Sequence, residues 1–234
     1  MIETTLIFWD IDGTLLRTGR AGIKAWEDAV LALLGVVIDL STLDTAGRTD
    51  LMIADDSLAV AGAERDRDQG RRLADSYAEA LPERLTQQRG GVLPHVAEIL
   101  AELHYHPGVV NALLTGNVRT GARAKLESYG LASYFDTGGF GDDGFIREEI
   151  GRTALARVQE MTGPVPRRRT FLVGDSPFDV ACAHALGLRM VAVATGDHAI
   201  AELAVSEPWW VVPELPAPGL FTAKLGLNSF STGS

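Results

Sequence analysis

The chain begins with a short apolar run that ends at two closely spaced carboxylates. Residues 4–9 (TTLIFW) are rich in β-branched and aromatic side chains, which predicts a buried strand. Asp10 and Asp12 follow at once, although Asp is a poor strand former, and Gly13 permits a sharp backbone turn. In an open α/β sheet, ligands bind just beyond the carboxyl ends of the strands. We therefore expect both carboxylates at a ligand-binding edge, where a cation or a proton on one of them relieves their repulsion.

The order of the predicted elements indicates an α/β fold with a helical insertion. Apolar residues recur at helical spacing within residues 23–34, 50–58 and 71–86, where Pro82 is expected to kink or end the third helix. After residue 92, helices alternate with strands, which predicts a parallel sheet with right-handed crossovers. These later elements are helices at about 94–104, 118–129, 148–161 and 177–186, and strands at about 109–114, 170–173, 190–193 and, more weakly, 209–212.

The chain of 234 residues is long enough for a core domain with a smaller inserted domain. We expect a Rossmann-like parallel sheet core formed by residues 1–16 and 89–222, with an all-helical cap domain inserted at residues 17–88. Residues 223–234 are expected to form a loose C-terminal tail.

Composition and charge narrow the class of partner. The net charge of −10 disfavours nucleic acid or an anionic membrane as the main partner, because both attract clustered Lys and Arg. The sequence has no apolar run near the length of a membrane span, no recognisable signal peptide and a single cysteine, Cys182. We therefore expect a cytoplasmic protein that acts on a small molecule; the sequence indicates no oligomeric state.

Three of the predicted strands end in polar, turn-forming residues. The first ends at Asp10 and Asp12, the second at residues 115–117 (TGN) and the third at residues 174–179 (GDSPFD). Because the carboxyl ends of parallel strands meet at one edge of the sheet, a hydroxyl, an amide and up to four carboxylates converge there. This set suits phosphoryl transfer through a carboxylate nucleophile. Asp10 would attack phosphorus, and Asp12 would protonate the leaving oxygen and then deprotonate the attacking water.

Other groups at the same edge would support that reaction. Thr115 and nearby backbone N–H groups would hold the phosphate oxygens, a hard ion such as Mg²⁺ would bridge carboxylates and phosphate, and a basic side chain would neutralise the remaining charge. Local capping is the alternative explanation for several of these residues. Thr115 or Asn117 could cap the next helix, Ser176 and Asp179 match a capping box, and an Asx turn could explain Asp12.

The combination of motifs resembles the haloacid dehalogenase superfamily, and within it the phosphoglycolate phosphatase-like members. Residues 10–15 (DIDGTL) match its DxDGT(L) motif, residues 114–117 (LTGN) resemble its Ser/Thr motif, and residues 174–179 match its acidic GDxxxD motif. The resemblance implies a Rossmann-like core and a helical cap that closes over the site. It also implies that Asp10, the backbone carbonyl of Asp12, and Asp175 bind Mg²⁺, with Asp179 in support.

One element departs from the superfamily pattern. The superfamily usually places a Lys ahead of the acidic motif, but here no Lys occurs between Lys125 and Lys224. Arg147 follows a Gly- and Asp-rich loop and precedes a predicted helix, so we assign the basic role to it, and Arg152 and Arg157 remain candidates. Arginine keeps the positive charge and can bind phosphate oxygens in a bidentate manner.

Further side chains are expected to bind the substrate. Thr14, Gly116 and Asn117 lie beside the motifs, and Arg48 lies at a cap turn from which it could reach a carboxylate or phosphate. We predict a Mg²⁺-dependent phosphomonoester hydrolase that acts on a small phosphorylated metabolite through an aspartyl-phosphate. A sugar phosphomutase or a carbon–halogen hydrolase on the same fold is a second interpretation. A non-catalytic regulatory protein is a third, which the retained cluster of like charges disfavours.

Overall fold

A computed structural model describes residues 3–41, 43 and 45–227 of the chain. The helices are α1 (Ala21–Leu34), α2 (Asp50–Val60), α3 (Arg67–Gln87), α4 (Val96–His104), α5 (Arg119–Ser128), α6 (Arg147–Thr162), α7 (Pro177–Leu186), α8 (Ile200–Val205) and α9 (Pro218–Lys224). The strands are β1 (Thr5–Trp9), β2 (Leu16–Arg17), β3 (Gly91–Val92), β4 (Val109–Leu114), β5 (Gly138–Gly139), β6 (Thr170–Gly174), β7 (Arg189–Val193) and β8 (Trp210–Val212). Over these described residues, no helix has both the length and the hydropathy needed to cross a lipid bilayer.

Six strands form one parallel sheet in the spatial order β5-β4-β1-β6-β7-β8. β1 lies near the centre, where Trp9 pairs with Leu113 of β4 on one side and Val173 of β6 on the other. Successive side chains of β1 point to opposite faces, so Ile7 and Trp9 pack in one hydrophobic cluster and Leu6 and Phe8 in another. Helices cover both faces, which explains why every residue of β1 is buried and all but Thr5 are apolar. The predicted α/β class and Rossmann-like core are confirmed.

The helical insertion has a hydrophobic cluster of its own. α1, α2 and α3 bury Trp26, Leu58 and Tyr77 together, and the rings of Trp26 and Tyr77 stack with centroids 4.2 Å apart. α3 begins at Arg67, earlier than the sequence indicated, and it runs through Pro82 to Gln87 as one helix. Of the two outcomes expected for Pro82, a kink or the end of the helix, the second is therefore wrong. The all-helical cap is confirmed as part of the fold.

Two short antiparallel strands connect this cap to the sheet. In this ribbon, Leu16 of β2 pairs with Val92 of β3, and Arg17 pairs with Gly91. The chain therefore leaves the core and returns to it at adjacent points. The predicted domain boundaries after residues 16 and 88 fall within or close to this ribbon, and they stay predictions.

The described end of the chain is packed against the core. Phe221 of α9 is fully buried, its ring stacks on Trp9 with centroids 5.7 Å apart, and Leu225 and Leu227 are also buried. The expectation of a loose tail is wrong for residues 223–227, because their apolar side chains join the cluster on one face of the sheet. Residues 228–234 of that prediction lie outside the described residues.

Candidate active site

The carboxyl ends of β1, β4 and β6 bring the three motifs to one edge of the sheet. Asp10 follows β1, Thr115 follows β4 and Asp175 follows β6, and all three side chains are buried. Asp179, in the first turn of α7, is also buried. Asp10, Asp175 and Asp179 each place a carboxylate oxygen within 4.8 Å of the others. The predicted convergence of carboxylates therefore occurs for these three residues.

Two glycines let the backbone approach Asp175 closely. Gly13 has a φ of 74°, and a Cβ atom built on Gly13 or Gly196 would collide with Asp175 Oδ2. The Thr14 hydroxyl donates a hydrogen bond of 3.2 Å to Asp175 Oδ1. Thr14 is buried and does not line the cavity, and the contact of its side chain is with Asp175; its predicted role in substrate binding stays a prediction. The sharp turn after β1 thus serves to hold a carboxylate from β6.

Arg147 is the arginine that reaches the acidic cluster. Its Nη1 donates to Asp179 Oδ1 at 2.5 Å, and its Nη2 lies 3.4 Å from Asp10 Oδ2. The other two candidates point elsewhere: Arg152 pairs with Glu148, and Arg157 pairs with Asp143. The position of Arg147 at the start of α6, directly after the Gly-rich loop, places its guanidinium between the ends of β1 and β6.

Burial raises the pKa values of two carboxyl groups in the acidic cluster. Burial raises the pKa of Asp10 to about 6, against the opposing charge of Arg147 and with further contributions from Asp179 and Asp12. Burial also raises the pKa of Asp175 well above its usual value, and the charges of Asp179 and Asp10 add to this. Three carboxyl groups in a site shielded from water favour a bound cation. Their oxygen-only donor set fits Mg²⁺, which prefers carboxylate ligands.

Asp179 also has the capping role that the sequence allowed. The Ser176 backbone N–H donates to Asp179 Oδ2 at 3.0 Å, and the Ser176 hydroxyl donates to the same oxygen at 2.6 Å. The other carboxylate oxygen, Oδ1, accepts from Arg147. Capping of α7 and the ion pair with Arg147 therefore use different oxygens of one side chain.

Asp12 stands apart from the buried acids and faces the cavity. Its side chain is 44% exposed, and Oδ2 accepts hydrogen bonds from Lys125 Nζ at 2.6 Å and Asn117 Nδ2 at 2.8 Å. Lys125 also donates to Asn117 Oδ1 at 2.6 Å, and Asn117 Nδ2 donates to Thr115 Oγ1 at 2.8 Å. Asp12, Asn117, Lys125 and Thr115 therefore form one hydrogen-bonded network.

Lys125 is the residue of this network that the sequence analysis assigned no role. Burial alone would lower its pKa, but the charges of Asp12, Tyr77 and Asp50 outweigh burial and raise the pKa. The sequence held one sign of this burial. Lys125 lies four positions after Gly121 and three after Ala122, so it shares a helix face with these small, buried residues.

The remaining predicted substrate residues contact the cap. The Gly116 carbonyl accepts from the Asp50 N–H at 2.8 Å, and a Cβ atom on Gly116 would collide with the Arg48 backbone. The Arg48 side chain lines the cavity and pairs with Asp56 of α2 at 2.5 Å, so the structure does not bring it to the acidic cluster. Gly116 thus allows close docking of the loop before α2 onto the core.

A cavity of about 700 Å³ lies between cap and core. Asp10, Asp12 and Arg147 line its core side, and Trp26 and Ile53 are among the apolar residues on its cap side. Asp10 and Asp175 of the acidic cluster thus face a partly open cavity whose opposite wall is partly apolar. This size and lining are typical of a small-molecule site.

Comparison with known proteins identifies the family to which this chain belongs. The model of the haloacid dehalogenase-like hydrolase family matches residues 7–184, which include all three motifs. The chain belongs to this family. This hydrolase is 28% identical over 221 residues to a protein of Dickeya dadantii named "Probable phosphatase IndB", a match that covers 88% of each chain.

One further relative has a similar sequence, and one solved structure has a similar fold. The phosphoglycolate phosphatase of Salmonella typhimurium is 33% identical over 155 residues, which are 64% of this chain and 58% of that protein. The structure of CbbY from Rhodobacter sphaeroides in complex with phosphate has a TM-score of 0.71 at 21% identity and covers 92% of this chain and 95% of that one. The predicted enzyme class and the resemblance to phosphoglycolate phosphatase-like proteins are confirmed, which disfavours the non-catalytic interpretation.

Proposed function

We propose that this hydrolase is a Mg²⁺-dependent phosphomonoesterase that acts on a small phosphorylated metabolite. The observation that carries this proposal is the buried set of Asp10, Asp175 and Asp179 around the guanidinium of Arg147, beside a cavity between cap and core. The phosphatases among its relatives support the same reaction class.

Asp10 is the proposed nucleophile. Its carboxylate oxygen attacks phosphorus, the bond from phosphorus to the leaving oxygen breaks, and an aspartyl-phosphate forms. Water then attacks phosphorus, releases inorganic phosphate and restores the carboxylate. A pKa raised to about 6 leaves Asp10 largely ionised at neutral pH, as a nucleophile requires.

Asp12 is the proposed general acid and base. Its exposed side chain reaches into the cavity above Asp10, where it can give a proton to the leaving oxygen and later take one from the attacking water. The proton count closes over the two steps, because the proton lost to the leaving group is regained from water. A carbon–halogen bond would need no such acid, so the presence of Asp12 favours a phosphate ester as substrate.

Among the described residues, two hydrogen-bond donors are well placed to bind the phosphate oxygens. Thr115 Oγ1 accepts hydrogen bonds from the Asn117 backbone N–H and from its side-chain amide, and neither bond uses the proton of the Thr115 hydroxyl. Arg147 Nε is buried and has no hydrogen-bond partner among the described residues. A buried donor without an acceptor is costly, and a phosphate oxygen would supply one.

The metal would be held by Asp10, Asp175 and Asp179, with the backbone carbonyl of Asp12. When bound, Mg²⁺ supplies positive charge that offsets the negative charge of the phosphoryl group. Thr14, Gly13 and Gly196 fix the orientation of Asp175 by the contacts described above.

The proposal is tested by release of p-nitrophenol from p-nitrophenyl phosphate, first with Mg²⁺ and then with excess EDTA. We expect turnover that requires Mg²⁺, and phosphoglycolate is the first metabolite to assay. Absence of turnover of both esters in Mg²⁺ would contradict the proposal.

The nucleophile is tested by Asp10→Asn, which keeps the side-chain volume but removes the attacking carboxylate. We expect a loss in kcat of about 10³-fold or more, with a circular dichroism spectrum like that of the wild-type protein. Asp75→Asn makes the same change at an exposed position of α3 and is the matched control. An Asp10→Asn enzyme that retains a tenth of the wild-type kcat would exclude Asp10 as the nucleophile.

A further inference from the structure

We propose that Lys125 is a positioning residue that holds Asp12 in the orientation needed for proton transfer, and that the cap completes the surroundings of Lys125. The inference rests on the proposed function, because Asp12 acts as the acid only in that reaction. Lys125 itself stands one side chain away from any reacting atom.

The two ends of the Lys125–Asp12 pair differ in exposure. Lys125 is 4% exposed, whereas the side chain of Asp12 is 44% exposed. Lysine is almost never buried without a partner, and here the ammonium donates to Asp12 Oδ2 and to Asn117 Oδ1, both at 2.6 Å. The buried lysine is therefore the fixed end of the pair, and Asp12 is the end that projects into the cavity.

One carboxylate oxygen of Asp12 carries both of these contacts. Lys125 Nζ and Asn117 Nδ2 both donate to Oδ2, at 2.6 Å and 2.8 Å. Two donors on the same oxygen fix the rotation of the carboxylate, so the other oxygen, Oδ1, is the one that can face a leaving group. Without Lys125, a half-exposed aspartate with one remaining donor would sample further rotamers.

The cap supplies the other polar groups around the ammonium. Tyr77 of α3 and Asp50 of α2 both interact with Lys125 electrostatically. Asp50 Oδ2 also accepts from the Val118 N–H at 2.7 Å, at the start of the helix that carries Lys125. Tyr77 is held in place by its stacking on Trp26. Because these groups belong to the cap, the surroundings of Lys125 are complete only when the cap lies on the core.

This arrangement predicts a dependence on the leaving group. Expulsion of an alkoxide needs the proton of Asp12, whereas p-nitrophenolate leaves readily without it. The ratio kcat/KM covers substrate binding and the transfer of phosphate to Asp10, and it excludes the later hydrolysis in which Asp12 is the base. A misplaced Asp12 should therefore lower kcat/KM for an alkyl phosphate much more than for p-nitrophenyl phosphate.

The test compares Lys125→Met with the wild-type enzyme on glycerol 3-phosphate and on p-nitrophenyl phosphate. We expect kcat/KM to fall about 10²-fold on the alkyl ester and less than about fivefold on the aryl ester. Arg123→Met removes an exposed cation from the same helix and should change neither value. Lys125→Gln, which keeps an N–H donor without the charge, is the second variant if Lys125→Met fails to fold, and it should show a smaller selective loss.

The possible outcomes separate the two proposals. An equal loss on both esters would show that Lys125 only supports the fold, and no loss on either would show that Asp12 needs no such support; both results overturn the inference. A wild-type enzyme inactive on both esters would instead contradict the proposed function. In that case a crystal structure of Lys125→Met tests whether Lys125 positions Asp12. An Asp12 rotamer that is unchanged in this variant would overturn the positioning role of Lys125.

Discussion

Asp50 is a carboxyl group that the cap buries against the beginning of α5. It is 4% exposed, its Oδ2 accepts the Val118 N–H at 2.7 Å, and its own N–H donates to the Gly116 carbonyl at 2.8 Å. Burial raises the pKa of Asp50 to about 7, and the nearby charge of Lys125 opposes this shift only in part. Asp50→Asn keeps the size of the side chain and an oxygen that can accept from Val118, but it removes the ionisable proton.

The sign of the effect follows from the two pKa values of Asp50. The folded state binds the proton more tightly than the unfolded state, whose pKa is near 3.8. The contribution of Asp50 to the free energy of unfolding is therefore largest below pH 3.8. It decreases as the pH rises from there to about 7, and it does not change further at higher pH. At about 1.4 kcal/mol for each pKa unit, roughly three units amount to about 4 kcal/mol. About 2 kcal/mol of this loss falls between pH values of about 5.5 and 8.5.

We therefore expect Asp50→Asn to unfold at higher urea concentration than the wild-type protein at about pH 8.5, with a smaller advantage at about pH 5.5. The measurement is the free energy of unfolding at both pH values, from urea denaturation followed by circular dichroism. Asp75→Asn, at an exposed position of α3, is the control and should show no such change with pH. A difference between Asp50→Asn and wild type that stays constant or shrinks as the pH rises would refute the reasoning.

Two further predictions concern the acidic cluster. Mg²⁺ at 100 times its dissociation constant should stabilise the protein by about 2.7 kcal/mol and raise the melting temperature by roughly 5–10 °C. EDTA should reverse this shift and Asp175→Asn should abolish it, whereas an equal shift in that variant would place the ion elsewhere. Gly196→Ala should weaken Mg²⁺ binding about 10- to 100-fold in calorimetry, because its Cβ would collide with Asp175 Oδ2. Gly219→Ala, whose Cβ meets no atom within 4 Å, is the control, and equal affinities for the two variants would count against a preformed site.

The positions of the three sequence motifs could be predicted because they depend on local patterns. An apolar run that stops at Asp10, and another that stops at Asp175, mark strand ends whatever the rest of the chain does. Parallel pairing then places both ends at one edge of the sheet. The choice of Arg147 followed from its place between a loop and a helix, which is also local information.

Other features depend on contacts between distant segments. Lys125 is polar and lies on an ordinary helix, and its burial depends on Asp12, 113 residues earlier in the sequence, and on the cap. The side chain of Thr14 reaches Asp175 because the two residues follow β1 and β6, which are neighbours in the sheet. Residues 223–227 looked like a tail because the sequence does not show that the face of the sheet around Trp9 is left for them and Phe221 to cover.

The ribbon of β2 and β3 has a consequence for how this architecture can vary. Since Leu16 and Val92 face each other across it, the chain enters and leaves the cap as the two arms of a hairpin do. Because a short turn could join these two strands directly, the insertion can become longer, shorter or different in sequence while the register of the six-stranded sheet stays the same. The architecture therefore allows the apolar wall that the cap gives the cavity to change while the acidic cluster below it keeps its place.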